Sequence, residues 1–135
     1  MIKLKRFAAL LVCASFTVWA QEPGGLEPPS VVSLLLMELQ DIPGKEALMI
    51  AVEYPPGGGD PVHRHDAHAF VYVLEGSIIM QVDGGERVTL TPGQTYYEAP
   101  DDLHTVGKNA SSTMPAKFLV LLVKDIGVAP LILAE

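Results

Sequence analysis

The chain has 135 residues, of which 49% are hydrophobic, and its formal net charge at neutral pH is −7. This length is sufficient for one domain with a packed core. Because an acidic surface repels phosphate groups, the composition argues against binding to nucleic acid or to anionic membranes.

Residues 1–20 have the pattern of a secretory signal peptide. They start with three basic residues, Lys3, Lys5 and Arg6. An apolar run over residues 7–19 follows, and the small Ala20 precedes a cleavage point before Gln21. The run has 13 residues, fewer than the roughly 20 that cross a bilayer. We expect a periplasmic or secreted protein with no stable membrane association after cleavage; an uncleaved anchor or a buried first helix is the alternative.

Cleavage would change the composition of the mature chain. The predicted signal contains three of the nine Lys/Arg residues, none of the sixteen Asp/Glu residues and the single cysteine, Cys13. The mature protein would therefore carry a net charge of −10 and no thiol. Without cysteine it has neither a disulfide nor a thiolate nucleophile or metal ligand, and core packing must provide its stability.

After a predicted Pro/Gly-rich linker at residues 21–30, residues 31–135 are expected to form one domain. Short apolar stretches alternate there with Pro/Gly turns, and none is convincingly helical. The predicted strands cover residues 31–39, 46–54, 70–74, 77–82, 86–90, 95–98, 103–106 and 116–124. This spacing indicates an antiparallel sandwich or barrel. The tail at residues 130–134 is too apolar to lie free in solvent and is interpreted as a further edge strand that a dimer would use.

Three histidines carry the chemistry that the sequence predicts. His63 and His65 are one residue apart, so in an extended segment both rings point to the same side. His104 follows a later Pro/Gly turn and can meet them from a neighbouring strand. Convergent imidazoles typically bind a divalent transition metal; hydrogen-bonded histidines without a metal are the alternative. Asp66 and Glu98 are either solvated surface acids or acceptors that orient a histidine ring.

These residues lie in two motifs that resemble those of the cupin superfamily. The motifs are Gly57-x5-His63-Arg64-His65-x3-Ala69-x6-Gly76, ending in Tyr72-Val73-Leu74-Glu75-Gly76, and Gly93-Gln94-x9-His104. The resemblance extends over about residues 46–123. It implies an all-β cupin double-stranded β-helix, a small single-domain antiparallel barrel with one divalent transition metal near its axis. It also implies a homodimer.

The first motif departs from the family at Ala69, where cupins usually have a carboxylate ligand. The resemblance then implies a three-histidine site like that of the β-diketone-cleaving and thiol dioxygenases, with His63, His65 and His104 as ligands. Three neutral imidazoles leave a dication at +2, which favours an anionic chelating substrate such as an enolate or a diketone. The metal stays open among Fe, Zn, Ni, Mn and Cu. A non-catalytic periplasmic protein that binds metal or a small ligand is the alternative function, and a degenerate structural barrel is a third.

Four further candidates follow His65 in the sequence: His68, Ala69, Val71 and Val73. His68 is one residue out of register with Ala69, so its side chain should point outwards, and only a bulge would make it a fourth ligand. Val71 and Val73 share the face of Ala69. We expect these three to form an apolar pocket wall for a small hydrophobic ligand.

Overall fold

The structure is a computed structural model that describes residues 25–134. All regular elements in this range are β-strands, and no helix there has the length and hydropathy of a membrane span. The strands are β1 Ser30–Glu38, β2 Lys45–Tyr54, β3 Gly59–Asp60, β4 His63–Arg64, β5 Ala67–Glu75, β6 Ile78–Val82, β7 Val88–Leu90, β8 Thr95–Glu98, β9 His104–Asn109, β10 Ala116–Asp125 and β11 Ile132–Leu133. The predicted signal peptide lies outside the described residues.

The strands form two sheets that pack face to face. The first has the order β1-β2-β10-β5-β8, and the second has the order β11-β4-β9-β6-β7, with β3 also paired to β9. Every pairing is antiparallel. Neighbours such as β10 and β2 are distant in sequence, as expected when a chain winds two sheets together rather than forming a simple meander. The predicted all-β barrel of the double-stranded β-helix type is confirmed.

The core lies between the sheets and follows from strict alternation along the long strands. In β5 every second side chain is buried, from Ala67 through Ala69 and Val71 to Val73. β10 alternates in the same way. Because side chains of a strand point to opposite faces with period two, one face of β5 and one face of β10 enter the core.

The sequence-predicted strands agree with the structure except at β3, which was not predicted, and around the histidine pair. There the extended segment is divided into the two-residue strand β4 and the longer β5, with His65 in the link between them. Pro61 lies just before β4, and a proline cannot donate a ladder hydrogen bond, which keeps pairing short. Both rings still face inwards: His63 and His65 are 2% and 9% exposed.

The five-stranded sheet has a large apolar outer face, formed by β1 and by the outward side chains of β2, β5, β8 and β10. β1 is the end strand, and all nine of its residues are exposed. A groove of about 670 Å³ runs over this face, and its lining includes Met49, Phe70, Tyr72, Tyr97 and Leu121. Exposed apolar surface of this extent is unusual on an isolated monomer.

The C-terminal part of the chain turns back onto the second sheet. Lys124, near the end of β10, forms a buried ion pair with Glu46 of β2 and donates to the carbonyl of Val128 at 2.6 Å. β11 then pairs with β4. The apolar tail is thus an edge strand, as expected, and its partner is a strand of its own chain.

Candidate metal centre

Three histidine rings and one carboxylate meet between the two sheets. His63 in β4 is the register partner of His104 in β9. His65 lies in the link that leads to β5, and Glu98 ends β8 on the opposite sheet. The exposed fraction of each is between 2% and 9%. The two sheets thus bring four potential metal ligands into a nearly dry space.

The potential ligand atoms lie close together. His63 Nε2 is 3.1 Å from His65 Nε2 and 3.4 Å from His104 Nδ1. Glu98 Oε2 is 3.4 Å from His104 Nδ1 and 3.8 Å from His65 Nε2. His63, Glu98 and His104 form a group whose ligand atoms all lie within 4.8 Å of one another. Two nitrogens at the usual bond length of about 2.1 Å from one metal ion are roughly 3.0–3.4 Å apart, so these separations fit a shared cation.

The hydrogen bonds of His63 and His65 leave two nitrogen lone pairs pointing at each other. His63 Nδ1 donates to the carbonyl of Pro61 at 2.8 Å, and His65 Nδ1 donates to the carbonyl of Pro130. A carbonyl only accepts, so the proton of each neutral ring is on Nδ1 and each Nε2 is an acceptor. Neither acceptor can bond the other across the 3.1 Å between them. A cation at this position removes the repulsion.

Protonation of one of the rings is an unfavourable way to supply that positive charge, because burial disfavours the charged imidazolium. Burial lowers the pKa of His65. Burial, assisted by the charge of His63, lowers the pKa of His104 to about 4. The rings of His65 and His104 are therefore held in the neutral form that coordinates metals.

Glu98 contributes a buried carboxyl group. Among the described residues, its Oε2 and the Nε2 of His104 have no hydrogen-bond partner. Burial, with smaller effects from the charges of Asp60 and Asp102, raises the pKa of Glu98 to about 7. An unsatisfied buried carboxylate is costly, and a metal ligand is one arrangement that satisfies it. The residues present fit a divalent transition metal.

Two expectations about acidic residues need correction. Glu98 is not a solvated surface acid, since it is only 2% exposed. Ala69 does occupy the position of the usual carboxylate, but it is the register partner of Glu98 in the β5–β8 pairing. The carboxylate therefore comes from the neighbouring strand. With ionised Glu98, a bound dication has a site charge of +1 rather than the expected +2. Asp66, by contrast, is exposed.

The remaining sequence candidates lie outside this cluster. His68 is exposed on the outer face, where its Nδ1 is 2.7 Å from the hydroxyl of Tyr97. It is not brought towards the other three histidines. Ala69, Val71 and Val73 are buried in the core on the inner face of β5.

A second buried polar pair adjoins the cluster and was not predicted. The hydroxyl of Tyr54 donates to the carboxylate of Asp60. Burial raises the pKa of both groups. A Cβ at Gly107 would lie 2.8 Å from His104 Cε1 and 3.0 Å from the Tyr54 hydroxyl, so only glycine lets β9 pass this close to both. No sequence motif marks this pair.

Solved structures with the same fold include proteins of different activities. The DMSP lyase DddQ from Ruegeria pomeroyi is 24% identical with a TM-score of 0.58, over 65% of this chain and 43% of that one. The polyketide cyclase RemF from Streptomyces resistomycificus is 22% identical with a TM-score of 0.54, over 78% and 75%. A Klebsiella pneumoniae protein with a double-stranded β-helix domain is 19% identical with a TM-score of 0.61, over 85% and 89%. This chain spans less than half the length of the lyase. At these identities the similarity establishes the fold.

No curated protein matches the sequence. The Cupin_2 family model, described as a cupin domain, matches residues 50–122, which is more than half of the chain and includes all four residues of the cluster. On this match, and on the two facing antiparallel sheets, the chain belongs to the cupin family.

Proposed function

We propose that this cupin binds one divalent transition metal through His63, His65, His104 and Glu98. The observation that carries the proposal is the pair of histidine Nε2 acceptors 3.1 Å apart, each fixed by a hydrogen bond on the opposite side of its ring. The Glu98 Oε2, which faces two of the rings and has no hydrogen-bond partner among residues 25–134, supports it.

We further propose that the centre is that of a mononuclear dioxygenase acting on a small chelating substrate of the enolate or diketone type. Such a metal supplies Lewis acidity and, if it is iron, the capacity to react with dioxygen. A six-coordinate ion such as Fe, Mn or Ni has two positions left after four protein ligands. The four side chains hold the ligand atoms in place, and the apolar inner face of β5 keeps water from the site. The structural neighbours named as a lyase and a cyclase make those reaction types the first alternatives within an enzymatic function.

A non-catalytic metal-binding protein is the second candidate, and one observation favours it. Each of the four ligand residues is at least 91% buried, since none is more than 9% exposed. Four protein ligands also complete a tetrahedral shell for zinc, which is typical of structural rather than catalytic sites.

The first experiment is metal analysis by mass spectrometry of purified protein, beside His65→Ala and Glu98→Ala. Close to one equivalent of one transition metal, reduced in both variants, is expected. Anaerobic loading with Fe(II) and oxygen-electrode measurements with a β-diketone then separate the two functions. Dioxygen consumption that needs both iron and the diketone indicates the dioxygenase, whereas tight metal without turnover indicates the binding protein. Absence of metal after loading contradicts both.

We also propose that the protein is exported, with residues 1–20 as its signal, and is periplasmic or secreted. The support is the sequence pattern of these residues, which lie outside the described part of the chain. Mass spectrometry of the intact protein recovered after expression tests it: the expected amino terminus is Gln21. Retention of residues 1–20 contradicts the proposal.

Finally, we propose a homodimer that covers the apolar outer face. The support is that all nine residues of β1 are exposed and that Phe70, Tyr72 and Tyr97, on the outer face of the same sheet, are exposed large hydrophobic residues. Light scattering should give the mass of two chains. Tyr72→Glu should yield a monomer, while Thr89→Glu, at an exposed position of the other sheet, should not. A monomeric native protein contradicts the proposal.

A further inference from the structure

We infer that the C-terminal segment at residues 129–134 is a positioning element of the metal centre, because the backbone carbonyl of Pro130 holds the His65 ring in the orientation that presents Nε2 to the metal. The metal part of this inference rests on the proposed function. The orientation of the ring does not.

Within the described part of the chain, the hydrogen bond that orients the His65 ring comes from a distant segment. His65 lies in the link between β4 and β5, outside the strand pairing. Its Nδ1 donates to Pro130, which is 65 residues further along the chain. At 9% exposed it is also the most accessible of the three rings, compared with 2% for His63 and for His104. Its direction therefore depends on a long-range contact.

His63 provides the internal comparison. Its Nδ1 also donates to a proline carbonyl, at 2.8 Å, but that proline is Pro61, two residues earlier and just before β4. The orientation of His63 is thus fixed locally. β11 is paired with β4, which contains His63, but the Nδ1 partner of His63 lies outside the C-terminal segment. Displacement of that segment should therefore remove the Nδ1 partner of His65 and leave that of His63.

The segment is fixed on both sides of Pro130. Before it, the carbonyl of Val128 accepts from the buried Lys124 at 2.6 Å. After it, β11 pairs with β4, and the amide of Ala134 donates to the carbonyl of Val62 at 3.1 Å. The carbonyl between these two anchors is therefore held at a defined point beside the ring.

The chemical consequence concerns which nitrogen of His65 carries the proton. A carbonyl acceptor at Nδ1 keeps the proton there and leaves the Nε2 lone pair for a metal. Without that acceptor the neutral ring can rotate or move its proton to Nε2, and it then no longer presents a ligand atom to the cluster. Loss of such an outer partner commonly weakens metal affinity by about 10–100-fold.

The test uses Ile132→Pro, which places a residue without an N–H in β11. Leu133→Ser is the matched control, because that side chain is 58% exposed and the backbone pairing is retained. Long-range nitrogen NMR of the metal-free protein reports the tautomer of each ring. We expect the Nδ1–H form of His65 in the native protein and the control, and a tautomer mixture in Ile132→Pro, with His63 unchanged. An unaltered His65 signal in Ile132→Pro would overturn the inference.

A coupling measurement then distinguishes positioning from general damage to the fold. Co(II) affinity should fall by about 10–100-fold in Ile132→Pro but by less than about threefold when the same change is made in His65→Ala. An equal loss in both backgrounds contradicts a role through His65. If Ile132→Pro does not fold, Pro130→Gly, which loosens the same carbonyl, is measured in its place. A native protein that binds no Co(II) refutes the proposed function instead, and the tautomer measurement still decides the inference.

Discussion

Replacement of Glu98 by glutamine should stabilise the metal-free protein and weaken its stabilisation by metal. Burial raises the pKa of Glu98 from 4.5 to about 7, so the folded protein holds this proton more tightly than the unfolded chain. The ionised form therefore opposes folding. Its cost is absent below pH 4.5, grows as the pH rises and is complete above about 7. At about 1.4 kcal/mol for each unit of pKa it reaches about 3 kcal/mol.

Glutamine has nearly the same shape and no charge to bury. Glu98→Gln should therefore increase the free energy of unfolding of the metal-free protein at pH 8, by up to about 3 kcal/mol, with no gain at pH 4. In the presence of metal this gain should be largely offset, because the variant lacks the negatively charged ligand. A metal at 100 times its dissociation constant stabilises a folded protein by about 2.7 kcal/mol, and most of that increment should be lost.

The assay is urea unfolding at pH 4 and pH 8, with EDTA and with added Zn(II). Glu53→Gln serves as the control, since Glu53 is an exposed acid on the outside of β2 and should change neither measurement. A Glu98→Gln protein that is less stable than the native one in EDTA at pH 8 would refute the reasoning. So would a metal-induced stabilisation equal to that of the native protein.

Three further outcomes are expected. Adding Ala69→Glu to the Glu98→Ala protein should restore its metal affinity, measured by titration calorimetry. The double variant swaps alanine and glutamate between two positions that face each other across β5 and β8, so the total side-chain volume is nearly constant. A double variant that binds metal no better than Glu98→Ala contradicts this. The dissociation constant for Zn(II) should rise up to about tenfold per pH unit below pH 7, where Glu98 must release a proton, and Glu98→Gln should remove that contribution. Lys124→Met should lower the melting temperature by several degrees, because it leaves the carboxylate of Glu46 buried without its cation. Lys45→Met should have little effect on the melting temperature, because it removes only a 41% exposed partner of a surface pair.

Local pattern was sufficient to predict most of the strands. Apolar stretches bounded by Pro and Gly correspond to β1, β2, β5, β6, β8 and β10, because alternation and turn chemistry depend on residues that are close in sequence. The inward direction of His63 and His65 followed from the same alternation. The prediction that Ala69, Val71 and Val73 share one face of β5 was also correct, since all three are buried.

The contribution of Glu98 could not be derived in this way. Ala69 is opposite Glu98 only because β5 and β8 pair in one particular register, and the sequence does not specify which strands become neighbours. The missing carboxylate at Ala69 was itself the available signal, since a buried acid on an adjacent strand can replace it. The bond from His65 to Pro130 is beyond local pattern for the same reason: it depends on where the C-terminal segment returns.

Two pKa shifts of opposite direction determine the charge of the metal-free cluster: the pKa of Glu98 is raised and that of His104 is lowered. Below about pH 7 Glu98 keeps its proton, and above about pH 4 the ring of His104 is neutral. Between these limits the two groups carry no net charge in the metal-free protein. Metal binding as proposed would replace the Glu98 proton with a dication and give the site a charge of +1. An anion would then be attracted to this buried space only after metal has bound. Because the proposed ligands come from both sheets, the same event would join the sheets together.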